Sequence, residues 1–319
     1  MEKGLILAIH KVLIFAGIML MAYIYKLLSP NINESDGRVI TKIVYNITLP
    51  LLLMYVSYTA SIPEDMWLVP IIAFIAIIIT WLFIKLLFSG FLPTEEYKLL
   101  QITATMGNTA YMGYPIVESL LGTSALTYAV AYNITQTTTF LTIIYPTLGG
   151  KGKKKKILSP PLIGFLLGFT LRIIVPMTPH SWTEMWNIII TIAESVGKTS
   201  SPLIMISLGL ITNFRGIFSY IRFLFFTFLG KFAITPAIHL MVVLPAMYIL
   251  PLIPGALHLS HLGAMAIMLQ SSMPVMMASV IYASGASLND KQAAAAVTLT
   301  TVASLLLIPV FYWLIRIIF

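Results

Sequence analysis

The chain has 319 residues, of which 59% are hydrophobic and only 9% charged. Soluble domains carry about 25% charged residues, so this chain cannot cover a water-facing surface, and both a soluble enzyme and a disordered protein are excluded. There is no cysteine, and hence no disulfide, zinc-thiolate or iron–sulfur chemistry. The net charge is +8, and five of the 19 basic residues form one run, Lys151 and Lys153 to Lys156. Such a run fits a short cytoplasmic loop under the positive-inside bias better than a nucleic-acid surface.

A membrane-spanning helix needs about 20 mostly apolar residues. In chain order such stretches fall at 4–28, 39–60, 66–91, 98–121, 124–148, 160–176, 183–212, 217–250, 262–284 and 290–318. Turn chemistry separates them, as at Ser29-Pro30-Asn31, Ile62-Pro63 and Pro251 to Pro254. The stretches are apolar all round, without the alternation of barrel strands, so the expected class is an all-α membrane protein. The first stretch exceeds a signal-peptide core and reads as a spanning helix. With the Lys151–Lys156 loop placed inside, Lys26, Arg38, Lys42, Lys85, Lys98, Arg215, Arg222 and Lys291 also fall inside, and Glu64-Asp65 falls outside. Ten spans then leave both termini outside a multi-pass cell-membrane protein.

The order of motifs repeats. Thr48-Leu49-Pro50 in the second span matches Ser200-Ser201-Pro202 in the seventh. A further proline lies 65 residues on in the first case, Pro115, and 72 residues on in the second, Pro274. The expected organisation is a first five-helix repeat over 1–150, a basic loop over 151–159 and a second repeat over 160–319. Five being odd, the second repeat enters the membrane inverted, as in many secondary transporters.

The fourth and ninth spans are expected to break. Gly107-Asn108-Thr109-Ala110-Tyr111-Met112-Gly113-Tyr114-Pro115 combines two helix-weakening glycines with a proline that lacks an N–H and clashes with the preceding turn. Gln270-Ser271-Ser272-Met273-Pro274 is expected to break near Met273 for the same reason. Unwound backbone is tolerated in a membrane only inside protein or along a polar cavity. Asn108, Thr109, Tyr111, Gln270, Ser271 and Ser272 suit such a place. A half-helix that restarts at mid-membrane carries about half a positive charge and free N–H groups, which favour a small anion such as a carboxylate.

The pattern Gly107-Asn108-Thr109-x-x-Met112-Gly113-x-Pro115 resembles the helix 4 signature of the auxin efflux carrier family, which also includes prokaryotic malate and malonate permeases. Asn46-x-Thr48-Leu49-Pro50, Ser201-Pro202-Leu203 with Leu208-Gly209, and Gln270-Ser271-Ser272-Met273-Pro274 are similar to its other signatures, in order along the whole chain. The resemblance implies ten transmembrane helices in two inverted five-helix repeats with crossing broken helices 4 and 9, as in the similar bile-acid symporter fold. It also implies a transport domain that moves against a scaffold, and a homodimer. Gly107, Gly113 and Pro115 would lie at one crossover and Met273 and Pro274 at the other. Plant members carry a long loop between the halves; its shrinkage here to the lysine run points to the prokaryotic branch.

Further candidates carry charge or polarity into the spans. Glu118, one turn beyond Pro115, could respond to a coupling proton or cation, or simply gain from the half-helix start. Lys231, in the middle of the eighth span, could bind a substrate carboxylate or pair with Glu118 or Glu194. Glu194 and Lys198 are four apart, the spacing of a mutual pair. Asn46, Asn133 and Gln136 could bridge helices, and Asn46 could instead line a site. Gly164-x-x-x-Gly168 permits close helix contact, either internal or at a dimer seam. His258 and His261 lack a third metal ligand, so no metal and no cofactor is expected. The expected function is secondary carriage of a small organic anion (malate, malonate or an auxin-like acid) by alternating access, with H+ or Na+ as possible coupling ion. The alternative is an uncoupled channel or facilitator. No phosphate-binding loop, zinc-protease helix or nucleophile elbow is present, so an enzyme is not expected.

Overall fold

A computed structural model of the protein describes residues 2–60, 62–150, 159–214 and 216–319. The lysine run 151–156 and Arg215, used above for orientation, lie outside the described residues. Regular structure among the described residues is helical, apart from one isolated antiparallel bridge between Gly107 and Val275. Six helical runs among them are long and apolar enough to cross a bilayer: Ala8–Leu28, Glu34–Thr59, Glu64–Phe88, Pro160–Met177, Ile217–Leu252 and Asp290–Ile318.

The first half comprises α1 (Glu2–Leu28), α2 (Glu34–Ile43), α3 (Leu49–Thr59), α4 (Val69–Phe88), α5 (Thr94–Thr105), α6 (Gly113–Leu121), α7 (Leu126–Thr139) and α8 (Tyr145–Thr147). The second comprises α9 (Pro160–Ile174), α10 (Thr183–Gly197), α11 (Ser200–Ile211), α12 (Ile221–Leu229), α13 (Thr235–Tyr248), α14 (His261–Ser271), α15 (Ser279–Gly285) and α16 (Asp290–Ile318). Local chemistry sets several boundaries. The Asn33 side chain accepts from Ser35 N–H, and Asp36 reaches back to Asn33 N–H, so a capping box starts α2. Ser159, Ser260 and Asn289 cap α9, α14 and α16 with their side chains.

Three apolar runs are joined by single π-helical turns, Val44–Thr48, Phe140–Ile144 and Gly230–Ile234. Each turn is followed at its second residue by a proline: Pro50, Pro146 and Pro236. A proline removes one i to i−4 hydrogen bond and its ring crowds that carbonyl. Widening the preceding turn to i to i−5 bonding relieves the crowding without breaking the helix.

The helices pack as two groups. α1, α2, α3, α9, α10 and α11 form one, chiefly through α3 on α9, α1 on α11 and α11 on α2. α4 to α7 and α12 to α16 form the other, with α4 lying against both α7 and α13, and α14 against α7, α13 and α16. The groups meet where α1 touches α16 and α6, and where α3 touches α7. Glycine closes the first group. A Cβ at Gly164 or Gly168 of α9 would run into the carbonyls of Pro50 and Met54, and Ser57 Oγ donates to Phe165 O at 2.8 Å. The small-residue motif of α9 is therefore an internal contact of α9 on α3, deciding between the two readings the sequence left open.

Candidate functional site

Both expected breaks exist. α5 ends at Thr105, the chain runs unwound from Met106 to Met112, and α6 starts at Gly113 with Pro115 in its first turn. α14 ends at Ser271, and α15 starts only at Ser279, so Met273 and Pro274 lie inside the second unwound stretch. Gln270 and Ser271 lie in the last turn of α14, one step before the unwound stretch in which they were expected.

The unwound stretches cross and pair with each other. Asn108 N–H donates to Pro274 O at 2.7 Å, and Met276 N–H donates to Met106 O at 3.0 Å. Val275 N–H donates to Thr300 Oγ1 at 3.1 Å. On the other side of Gly107, the Gln136 carboxamide accepts from Gly107 N–H at 3.1 Å and donates to Gly107 O and Thr109 Oγ1, both at 2.9 Å. Gln136 thus acts as a one-residue third strand, and backbone that would be costly unpaired in a membrane is satisfied. The sequence offered Gln136 as a bridge between helices, but not its pairing with the Gly107 backbone.

The remaining predicted residues divide sharply. Asn108 is 1% exposed, and its Nδ2 has no hydrogen-bond partner among the described residues. Neither do the N–H groups of Thr109, Ala110 and Tyr111, which lead into α6. Thr109 Oγ1 also accepts from Asn133 Nδ2 at 2.6 Å, so Asn133 serves as a bridge. The Tyr111 ring packs at a tilt of 47° on Tyr45 of the first group, ring centroids 5.9 Å apart. Gln270 is fully buried, and its Nε2 donates to Thr109 O at 3.2 Å and Ala129 O at 3.4 Å while Oε1 is unpartnered. Ser271 and Ser272 are also fully buried, and both hydroxyls donate to Met268 O, at 2.8 and 2.9 Å. They are spent within their own helix.

The charged candidates separate in the same way. Lys231 sits in the π turn before α13, 1% exposed, and its Nζ donates to Ser271 O at 3.3 Å. It does not pair with Glu118 or Glu194. Glu194 pairs with Lys198 at 2.5 Å on an exposed face, as the four-residue spacing predicts. Glu118 is half-buried and lies within electrostatic reach of Lys198. Asn46 is exposed, and its Nδ2 donates back to Lys42 O at 2.8 Å, so it does not line the crossing.

Between the crossing and the first group is a gap of about 10 Å³, lined by Val44, Leu49, Ala110, Tyr111, Pro115 and Ser200. About one water fits such a space, so the described conformation is closed around the start of α6. A larger crevice of about 630 Å³ between α4, α7 and α9 is lined by Trp67, Phe74, Ile134, Phe165 and threonines, with no charged group.

The sequence profile of a family described as membrane transport protein matches residues 7–157 and 147–312. The chain belongs to the auxin efflux carrier family. It is similar to an uncharacterized transporter of Methanothermobacter thermautotrophicus, 30% identical over 212 residues, which is 62% of this chain and 66%, just under two thirds, of that relative. It is also similar to an uncharacterized transporter of Methanocaldococcus jannaschii, 24% identical over 317 residues, covering 95% of this chain and 97% of the relative. Family membership makes it a multi-pass membrane transport protein.

Proposed function

We propose that this auxin efflux carrier family member is a secondary carrier for a small organic anion of the carboxylate class, working by alternating access. In this reading the chain makes ten spans in two inverted five-helix repeats, with α5–α6 and α14–α15 as the broken fourth and ninth. The group of α4 to α7 and α12 to α16 carries the crossing past the other group, which serves as scaffold. The basic loop is cytoplasmic.

One observation carries the substrate class. The Asn108 amide nitrogen is buried with no partner among the described residues, next to three backbone N–H groups that likewise have none among them. A buried polar group left unmade costs about 1–3 kcal/mol. The start of α6 adds about half a positive charge at the same spot. A carboxylate entering when the scaffold moves away would satisfy all of these donors at once. The gap at the start of α6 holds only about one water, which favours a carrier over an open channel.

Purified protein should melt at higher temperature with malate, malonate or indole-acetate, because a ligand of the folded state stabilises it by mass action. Asn108→Ala should keep the ligand-free melting temperature, having removed an unsatisfied group, and lose the ligand-induced rise. An Asn108→Ala protein that still responds to the same anion would remove Asn108 from the site. Uptake into vesicles that fails to saturate with substrate would favour a channel.

A further inference from the structure

Among the described residues, Lys231 is a charged side chain placed against the crossing itself. Its Nζ donates to Ser271 O, at the end of α14. A Cβ built on Gly107, just past the end of α5, would stand 3.2 Å from the same nitrogen. The ammonium therefore bonds to the last residue of α14 and lies beside Gly107, just past the end of α5. α5 and α14 both end here, and each helix C-terminus carries about half a negative charge on unpaired carbonyls. Two such ends sum to about one negative charge, which a single ammonium balances. Carbonyls and half-helix C-termini of this kind form the coordination sites for Na+ in transporters built on broken helices.

Among the described residues no carboxylate pairs with Lys231. The described ion pairs are Arg38–Glu34 and Lys198–Glu194. The elements packed on the π turn of Lys231 include α5, α12 and α13, with Ile84 of α4 facing Gly230 and Phe311 of α16 stacked on Phe232. α5 carries Glu95, Glu96 and Lys98 only in its first turns, at the opposite end from Thr105, and Glu96 accepts from Gln292. α12 carries Arg222 in its first turn, donating to Phe91 O. α13 carries His239, two turns on, held between Thr235 O at 2.8 Å and the Tyr132 hydroxyl at 2.7 Å. Thr105 Oγ1, at the end of α5, is buried with no partner, an oxygen available to a cation.

We propose that the Lys231 ammonium is a built-in cation, occupying the place between the two half-helix ends where a monovalent metal ion would otherwise sit, so that this protein needs no Na+ to hold its crossing together. The inference deepens the carrier reading by assigning the coupling-ion position, but it concerns only the crossing and stands whichever solute is carried.

The test uses the purified full chain without substrate, melted in NaCl, KCl and N-methylglucamine chloride at equal ionic strength. Wild type should melt at the same temperature in all three. Lys231→Ala should melt several degrees lower in N-methylglucamine and recover, saturably, with Na+ or K+. Lys231→Met, which refills the volume without charge, should melt low in every salt. A saturable Na+ stabilisation of wild type would overturn the proposal. So would a Lys231→Ala protein that ignores the cation, or a Lys231→Met protein as stable as wild type. If Lys231→Ala does not survive extraction, its folded yield is compared between extraction in Na+ and in N-methylglucamine. Higher yield in Na+ supports the built-in cation, and equal loss overturns it. Because no organic anion is added, failure here is separate from failure of the carboxylate assignment.

Discussion

Gly113 shows how tightly the crossing is specified at the level of single residues. A Cβ there would run into the Gln270 carboxamide, which is fully buried and tied to Thr109 O and Ala129 O. Gly113→Ala should therefore cost about 1–3 kcal/mol, as overpacking does, and lower the melting temperature. Gln270→Ala should also destabilise, by releasing the unwound stretch. The double variant should fall short of the summed losses by at least about 0.5 kcal/mol, since the two residues touch. Strict additivity in thermal melts would mean that the clash does not exist. Gly113 and Pro115 were legible because glycine and proline act on their own backbone. The backbone pairing of Gln136 was not, because it depends on Gly107, 29 residues away. Asn46 misled for the complementary reason: in sequence it stands beside a signature proline, yet its side chain turns outward to its own helix.

At the scale of elements, apolar runs located most helices within a few residues, because hydrophobic length is a property of the chain alone, but the single span expected at 183–212 is two helices, α10 and α11, parted by a turn at Lys198 and Thr199. Whether a proline bends, widens or ends a helix is set by its neighbours. Pro50, Pro146 and Pro236 each follow a π turn, whereas Pro115 sits in the first turn of a new helix and Pro274 lies outside any helix. The prolines themselves are alike in sequence, and only the flanking glycines and polar residues set Pro115 and Pro274 apart. The glycines of α9 show the same dependence on context. Gly168→Ala would force a methyl against Met54 O and Ser57 Oγ, where backbone cannot yield. A loss of about 1–3 kcal/mol is expected, seen as a lower melting temperature and weaker contact of α9 on α3. Gly17→Ala, in α1, meets nothing within 4 Å. It should leave the melting temperature unchanged or raise it, since alanine is the better helix former by about 1 kcal/mol. Equal effects of the two substitutions would show that helix propensity, not close packing, governs these positions.

For the molecule as a whole, the question is whether the two helix groups move past each other. Among the described residues the seam carries few specific bonds: the rings of Tyr45 and Tyr111 meet across it and Lys198 lies within electrostatic reach of Glu118, whereas hydroxyl pairs such as Ser200 Oγ to Thr48 Oγ1, at 2.9 Å, lie within one group. Packed groups joined through a weakly bonded seam can slide without melting either core, which is how a rigid crossing could face each side in turn. The chain has no cysteine, so engineered pairs report without background. Tyr45→Cys with Tyr111→Cys, joined by a short reducible thiol cross-linker, should stop vesicle uptake, and reductant should restore it to the level of the unlinked double variant. Thr48→Cys with Ser200→Cys should cross-link and leave uptake unchanged, because both positions ride on the same group. If linking Tyr45 to Tyr111 leaves uptake at the unlinked level, the groups do not separate during transport, and the solute must pass the crossing by some movement within the group that carries it.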